Sequence, residues 1–266
     1  SGFSHTLFGV EISLNAWSLN EIFLLDASTY CIAFALLYFL KSKELNNFKR
    51  DSGSVLNRLK MGWSFLANNR LILVYGLFSY FVFVTVIIHV FYLLHLYVSN
   101  HLHGNGTALA IVEIAHTLGA LFAGVFIQRI AKKWTSVFTS LLLMALVVVV
   151  YLVSAISSEL IIYAICCLLI GFVNSGIRVT RVTFLFKVVP KQTIGRVTSV
   201  FQSANVALRL VLIAVLHLPF FVESPAKAYY FYVAFILLAI LPILMSFSKI
   251  KQFELEQKKD PELESF

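Results

Sequence analysis

Charge is what this sequence has least of. Lys, Arg, Asp and Glu make up 13% of its 266 residues, against about 25% in an ordinary soluble domain. With 59% hydrophobic residues and a mean hydropathy of +0.87, it has too few polar side chains to cover a soluble core. A typical soluble enzyme, a disordered chain and a nucleic-acid-binding domain are excluded together. Cysteine is scarce as well. Cys31, Cys166 and Cys167 lie in apolar runs without metal-ligand spacing, and the adjacent pair points to different helix faces, so all three read as packing residues. Residues 1–20 contain no Lys or Arg, which removes the basic start of a secretory signal peptide. No nucleotide-binding loop, catalytic triad or metal cluster is legible, and His101 and His103 lack a third ligand nearby. No enzymatic activity, metal or cofactor is expected.

Apolar length is what the chain does have. A helix needs about 20 apolar residues to cross a bilayer core, and runs of that kind cover 21–40, 71–98, 107–128, 135–155, 159–187, 197–218 and 228–248. Continuously apolar runs cannot make the alternating strands of a membrane barrel, so the fold class is an all-α membrane protein, a polytopic helix bundle. Residues 1–16 are too short to span. Phe3, Leu7, Val10 and Leu14 fall at helical spacing, which predicts a partial span or an interfacial helix.

Basic residues set the orientation. Lys and Arg concentrate in 41–70, around Arg129, Lys132 and Lys133, in 187–196 including Arg196, and in the tail 249–266, while the alternate loops hold only Lys227. The basic side is cytoplasmic by the positive-inside rule, and the net charge of +8 is an orientation signal. Within 41–70, Val55, Leu59, Trp63 and Leu66 form a stripe suited to a helix on the inner membrane face. An ordinary polar connector reads equally well. The charged tail is expected to fray.

Several stretches resemble the major facilitator superfamily of transporters. Gly124-Val125-Phe126-Ile127-Gln128-Arg129-Ile130-Ala131-Lys132-Lys133 is similar to the family's cytoplasmic loop motif, with Gln128 where the motif has Asp and Ala131 where it has Gly. Gly171-Phe172-Val173-Asn174-Ser175-Gly176, followed by Val189-Pro190 and Gly195-Arg196-Val197, resembles span ten and its loop in the branch of bacterial multidrug and siderophore exporters. Phe23-Leu24-Leu25-Asp26-Ala27-Ser28 resembles the start of that branch's span six. The resemblance implies a twelve-span fold in two six-span halves. Residues 1–16 would end span five, 21–40 would be span six, 41–70 the basic central linker and 71–248 the C-terminal half. It further implies a bacterial inner membrane, a cytoplasmic C-terminus, a fragment of a longer protein, and a missing N-terminal half as partner. Residues 1–16 lack the proline of the antiporters' span-five motif, so import stays as open as export. A membrane receptor or scaffold of the same fold, or a truncated copy, is the alternative to transport.

Ionisable groups inside a membrane are costly and therefore informative. The runs at 135–155 and 228–248 have none. Span eight carries Glu113, His116 and Thr117 on one face, a spacing that can share a proton. Span ten carries Asn174, Arg178 and Arg181. Arg181 is near enough to Lys187 to snorkel to the cytoplasm and join Arg129, Lys132, Lys133 and Arg196 in an inner gate. Span eleven carries Gln202, Asn205 and Arg209, and span seven adds His89. Structural hydrogen bonding is the competing reading for each. Through the resemblance, these residues would line a central cavity and handle a small organic solute by alternating access, coupled to protons. Three intramembrane arginines point to an anionic or zwitterionic solute. Arg209 and Glu113, at similar depth, are expected to pair.

Overall fold

The computed structural model describes residues 3–7, 10–14, 18–39 and 54–257. The basic residues of 41–53 and Lys258 and Lys259 of the tail lie outside that set. The chain divides into two units, Ser1–Asp51 and Ser52–Phe266. In the first unit, strands β1 (Phe3–Leu7) and β2 (Val10–Leu14) pair antiparallel, and α1 (Leu19–Phe39) is a helix of spanning length. The helix expected over 1–16 is therefore corrected to a hairpin. The spacing that suggests a helix also fits period two. The register sets Phe3 opposite Leu14, His5 opposite Ile12 and Leu7 opposite Val10.

The second unit holds helices α2 (Val55–Asn68), α3 (Arg70–Ile88), a π-helical turn (His89–Leu93), α4 (Leu94–Asn100), α5 (Gly106–Lys133), α6 (Ser136–Ile156), α7 (Leu160–Val188), α8 (Lys191–Leu216), the short α9 (Pro219–Val222), α10 (Ala226–Met245) and α11 (Phe247–Gln257). The segment from α3 through α4 is one span, and with α5, α6, α7, α8 and α10 it gives six spans in this unit. With α1 there are seven among the described residues, one for each apolar run. Helix starts follow ordinary capping chemistry. Ser54 Oγ accepts from Asn57 N at 3.3 Å, Asn105 Oδ1 from Ala108 N at 3.1 Å and Thr135 Oγ1 from Phe138 N at 3.4 Å. Pro190 immediately precedes α8, and its carbonyl takes the first helical bonds from Thr193 and Ile194. That helix thus begins ahead of the apolar run that marks it in the sequence.

Lipid offers no hydrophobic force between helices, so small residues and interhelical hydrogen bonds hold the bundle. Gly119 of α5 lies against the backbone of Leu168, and Gly171 of α7 against the backbone carbonyl of His116. The two helices touch main chain to main chain. Hydroxyls tie α6 to its neighbours. Tyr75 of α3 bonds Ser140 at 2.7 Å, and Ser140 bonds Thr180 of α7 at 2.7 Å. Tyr151 donates to Thr85 at 3.0 Å, and Tyr97 reaches the carbonyls of Ser154 and Ser157 at 2.6 and 2.7 Å. Helix α6 is thus joined at both ends to the span that runs from α3 through α4.

Two expectations about the connections change. Helix α2 does not simply lie on a membrane face: Gly62 and Leu66 are buried, and a β-carbon on Gly62 would stand 2.6 Å from the Arg196 carbonyl of α8. Val55, Leu56, Met61 and Trp63 stay exposed. The first part of the tail does not fray. It forms α11, with Ile250 and Glu254 buried.

Substituting Gly119 or Gly171 by Val should cost more than the roughly 1–3 kcal/mol of ordinary overpacking, because the obstacle is backbone. Gly124→Ala, facing open space, should hold stability or gain up to about 1 kcal/mol. Thermal unfolding of the chain in detergent checks both.

Candidate functional site

The glycine crossing sets where the polar side chains of α5 and α7 stand. His116 sits at the crossing and Asn174 one turn beyond it, both half-buried, and His116 Nε2 and Asn174 Oδ1 are buried without a hydrogen-bond partner. On α8, Asn205 is buried with neither amide atom satisfied, and Arg209 is half-buried with Nε unsatisfied. Gln202, one turn before Asn205, is exposed. Buried polar atoms in native proteins are nearly always bonded, and exceptions concentrate where water, an ion or a ligand belongs. Here His116, Asn174, Asn205 and Arg209 lie on α5, α7 and α8, helices of spanning length.

Glu113 does not pair with Arg209. Its carboxylate lies 3.6 Å from Nε2 of His95, with both side chains about half exposed (49% and 50%). His95 carries no signal of its own in the sequence. It lies on α4, and α4 and α5 are consecutive antiparallel helices joined by a short loop. Residues at similar distances from such a loop share a depth, and His95 and Glu113 satisfy that rule. Beside them is a shallow hollow of about 340 Å³ bounded by Ala110, Glu113, Ile114, Thr117 and Leu118. Thr117 takes no part in a relay. Its hydroxyl donates to the Glu113 carbonyl at 2.9 Å.

Arg181 of α7 departs from the behaviour expected of it. Arg181 does not snorkel. It is 3% exposed, its guanidinium lies 3.6 Å from the centre of the Tyr80 ring, and it donates to the Ser79 carbonyl at 3.2 Å. Arg178 is the exposed one. The physical reason is α3: Tyr80 offers the planar cation a π face, and that contact, with the Ser79 carbonyl, replaces the water Arg181 would otherwise seek. Arg129 and Lys133 are exposed in the last turns of α5, where cations complement the helix dipole, and Lys132 lies in the same turns. Arg196 is half-buried near the start of α8 and presents its carbonyl to Gly62.

His89 belongs to a different group from the residues of α5, α7 and α8. It opens the π turn and is fully buried, with Nδ1 3.2 Å from the Tyr229 hydroxyl and Nε2 3.9 Å from Cys167 Sγ. Tyr163 and Tyr229 hydroxyls bond each other at 2.7 Å. The cysteines are free, with Cys166 and Cys167 buried and Cys31 exposed. Among the described residues no group of three metal-ligating side chains occurs.

Glu254, like His95, escaped sequence reasoning, and its contacts anchor helix ends. It is 2% exposed and accepts from the Ser136 amide at 3.0 Å, the Ser136 hydroxyl at 2.7 Å, the Val137 amide at 3.4 Å and Lys187 Nζ at 3.0 Å. One carboxylate thus caps α6, neutralises the end of α7 and fastens α11. Its sequence signal was Ile250 and Glu254 at helical spacing, hidden in a stretch rich in charge.

A sequence profile described as the Major Facilitator Superfamily matches residues 6–212. No curated protein matches the chain.

Glu254→Ala removes the cap acceptor and strands buried donors, and should cost about 2–4 kcal/mol. Lys187→Met should cost less, since Lys187 is one-third exposed (32%) and Glu254 keeps its amide and hydroxyl donors. Unfolding midpoints of the two variants in detergent give the comparison.

Proposed function

Because the chain belongs to the Major Facilitator Superfamily, and is thus a multi-pass membrane transporter, we propose that it moves a small anionic or zwitterionic organic solute by alternating access. The observation that carries this is the set of unsatisfied buried atoms on His116, Asn174, Asn205 and Arg209. A guanidinium with an unpartnered buried Nε and buried amide atoms without partners disfavour the empty site and favour one holding a solute with complementary oxygens. Arg209 binds the solute's anionic group, Asn205 and Asn174 orient it, and Arg178 and Gln202 meet it at the exposed margin. His116 lies at the rigid crossing of α5 and α7, where its ring nitrogen can accept or give a proton. Glu113 with His95, whose carboxylate and Nε2 lie 3.6 Å apart, forms the proton-coupling pair.

In this reading residues 71–248 are the C-terminal six-span half, α1 is span six, and the C-terminus is cytoplasmic. Helices α5 and α8 support it. They carry Glu113, His116, Gln202, Asn205 and Arg209, yet they are the least buried of the six spans of their unit. A polar, open face of this kind is completed by an N-terminal half. The basic residues at the ends of α5 and α7 and the start of α8 support the orientation.

Transport by the complete gene product should fall at least tenfold in Arg209→Gln with folded yield retained. Glu113→Gln should transport at a rate insensitive to an imposed pH gradient. Unchanged solute flux in Arg209→Gln would remove the binding role. A cysteine at Asn105 should label from outside the cell and one at Arg129, exposed at the end of α5, only from inside; the reverse pattern overturns the orientation.

A further inference from the structure

Where α5 ends and α6 begins, two hollows share a wall. One, of about 600 Å³, is bounded in part by Gln128, Lys133, Trp134, Thr135, Lys187 and Glu254. The other, of about 490 Å³, is bounded by Lys133, Trp134, Thr135, Phe138, Lys251 and Leu255. Three lysines face a single carboxylate there, and that carboxylate is committed to Ser136, Val137 and Lys187. Neither Lys133 nor Lys251 lies within ion-pair distance of a carboxylate among the described residues. The Lys251 ammonium lies 5.9 Å from the centre of the Phe247 ring. Glu256, on the same helix, accepts from Gln252 at 2.9 Å and borders a neighbouring hollow with Lys251, but it does not line the hollow at Lys133. The hollow is therefore positive.

Its outer wall is apolar. Trp134 and Phe138 meet edge to face at 5.2 Å, and they are 43% and 40% exposed. Leu142, one turn further along α6, is exposed too. A positive hollow at the helix ends thus runs into an apolar strip along a membrane-spanning helix. A small soluble anion would use the hollow and leave the strip bare. A molecule with an anionic head and a hydrocarbon tail uses both.

We propose that this is a binding site for an anionic glycerophospholipid. Lys133 and Lys251 hold the phosphodiester as charge-assisted donors, Trp134 packs at the level of the glycerol as tryptophans do at membrane interfaces, and Phe138 and Leu142 carry an acyl chain. The site is separate from the unsatisfied groups on Asn205 and Arg209 and does not depend on the transport reading.

The test is retention of phosphatidylglycerol against phosphatidylcholine by the purified chain in detergent, read by native mass spectrometry and by the thermal midpoint. The wild-type chain should retain and be stabilised by phosphatidylglycerol preferentially. Lys133→Gln and Lys251→Gln should each weaken that preference about fivefold. The double change to Arg should keep it. Leu142→Ser should weaken retention of the long-chain lipid while leaving a short-chain analogue unaffected, and it tests the strip without touching the lysines. Lys227→Gln, at the other end of the bundle, should change nothing. Equal retention of both lipids by the wild type, an equal loss in Lys227→Gln, or equal stabilisation by inorganic phosphate would overturn the proposal.

Discussion

The backbone contacts of Gly119 with Leu168 and of Gly171 with His116 are the constraint on which the arrangement of polar groups depends. Helices in lipid gain nothing from hiding apolar surface from one another, so close approach must come from shape. With no β-carbon at either position, α5 and α7 meet through their backbones. That fixes the two polar stripes at a set depth relative to each other. His116 is held at the crossing itself, and Asn174 stands one turn away. A bulkier pair would separate the helices and let each polar side chain find its own water.

The hydroxyl bonds of α6 divide labour with this contact. Tyr75, Ser140 and Thr180 link three helices near one end, and Tyr97 closes on the Ser154 and Ser157 carbonyls near the other. Each bond satisfies groups that lipid cannot. Glu254 serves the same end outside the apolar core, where it supplies the acceptor that the first amides of α6 lack.

The seven spans were legible because length and hydropathy alone determine them. The partners of the polar residues were less so. Helical spacing showed that Arg178 and Arg181 share a face, but only the position of Tyr80 on another helix decides which is buried. Glu113 and Arg209 lie at similar depth, yet depth says nothing about the angle each presents, and His95 on the neighbouring antiparallel helix was closer. The N-terminal hairpin was misjudged because Phe3, Leu7, Val10 and Leu14 satisfy two periods at once. The tail was misjudged because its charges mask a two-residue contact at Ile250 and Glu254.

The π turn at His89–Leu93 has one consequence for comparing this chain with others. Such a turn accommodates one residue more than regular helix would over the same rise. Beyond it, every residue is rotated by about 100° relative to an uninterrupted helix. Tyr97 reaches α6, and His95 reaches Glu113, in that rotated phase. A relative that keeps a plain α-helix here would align only with a one-residue gap inside a continuous span, a place where gaps are ordinarily forbidden. An ungapped alignment would match each outer residue of this span to the wrong face of its counterpart.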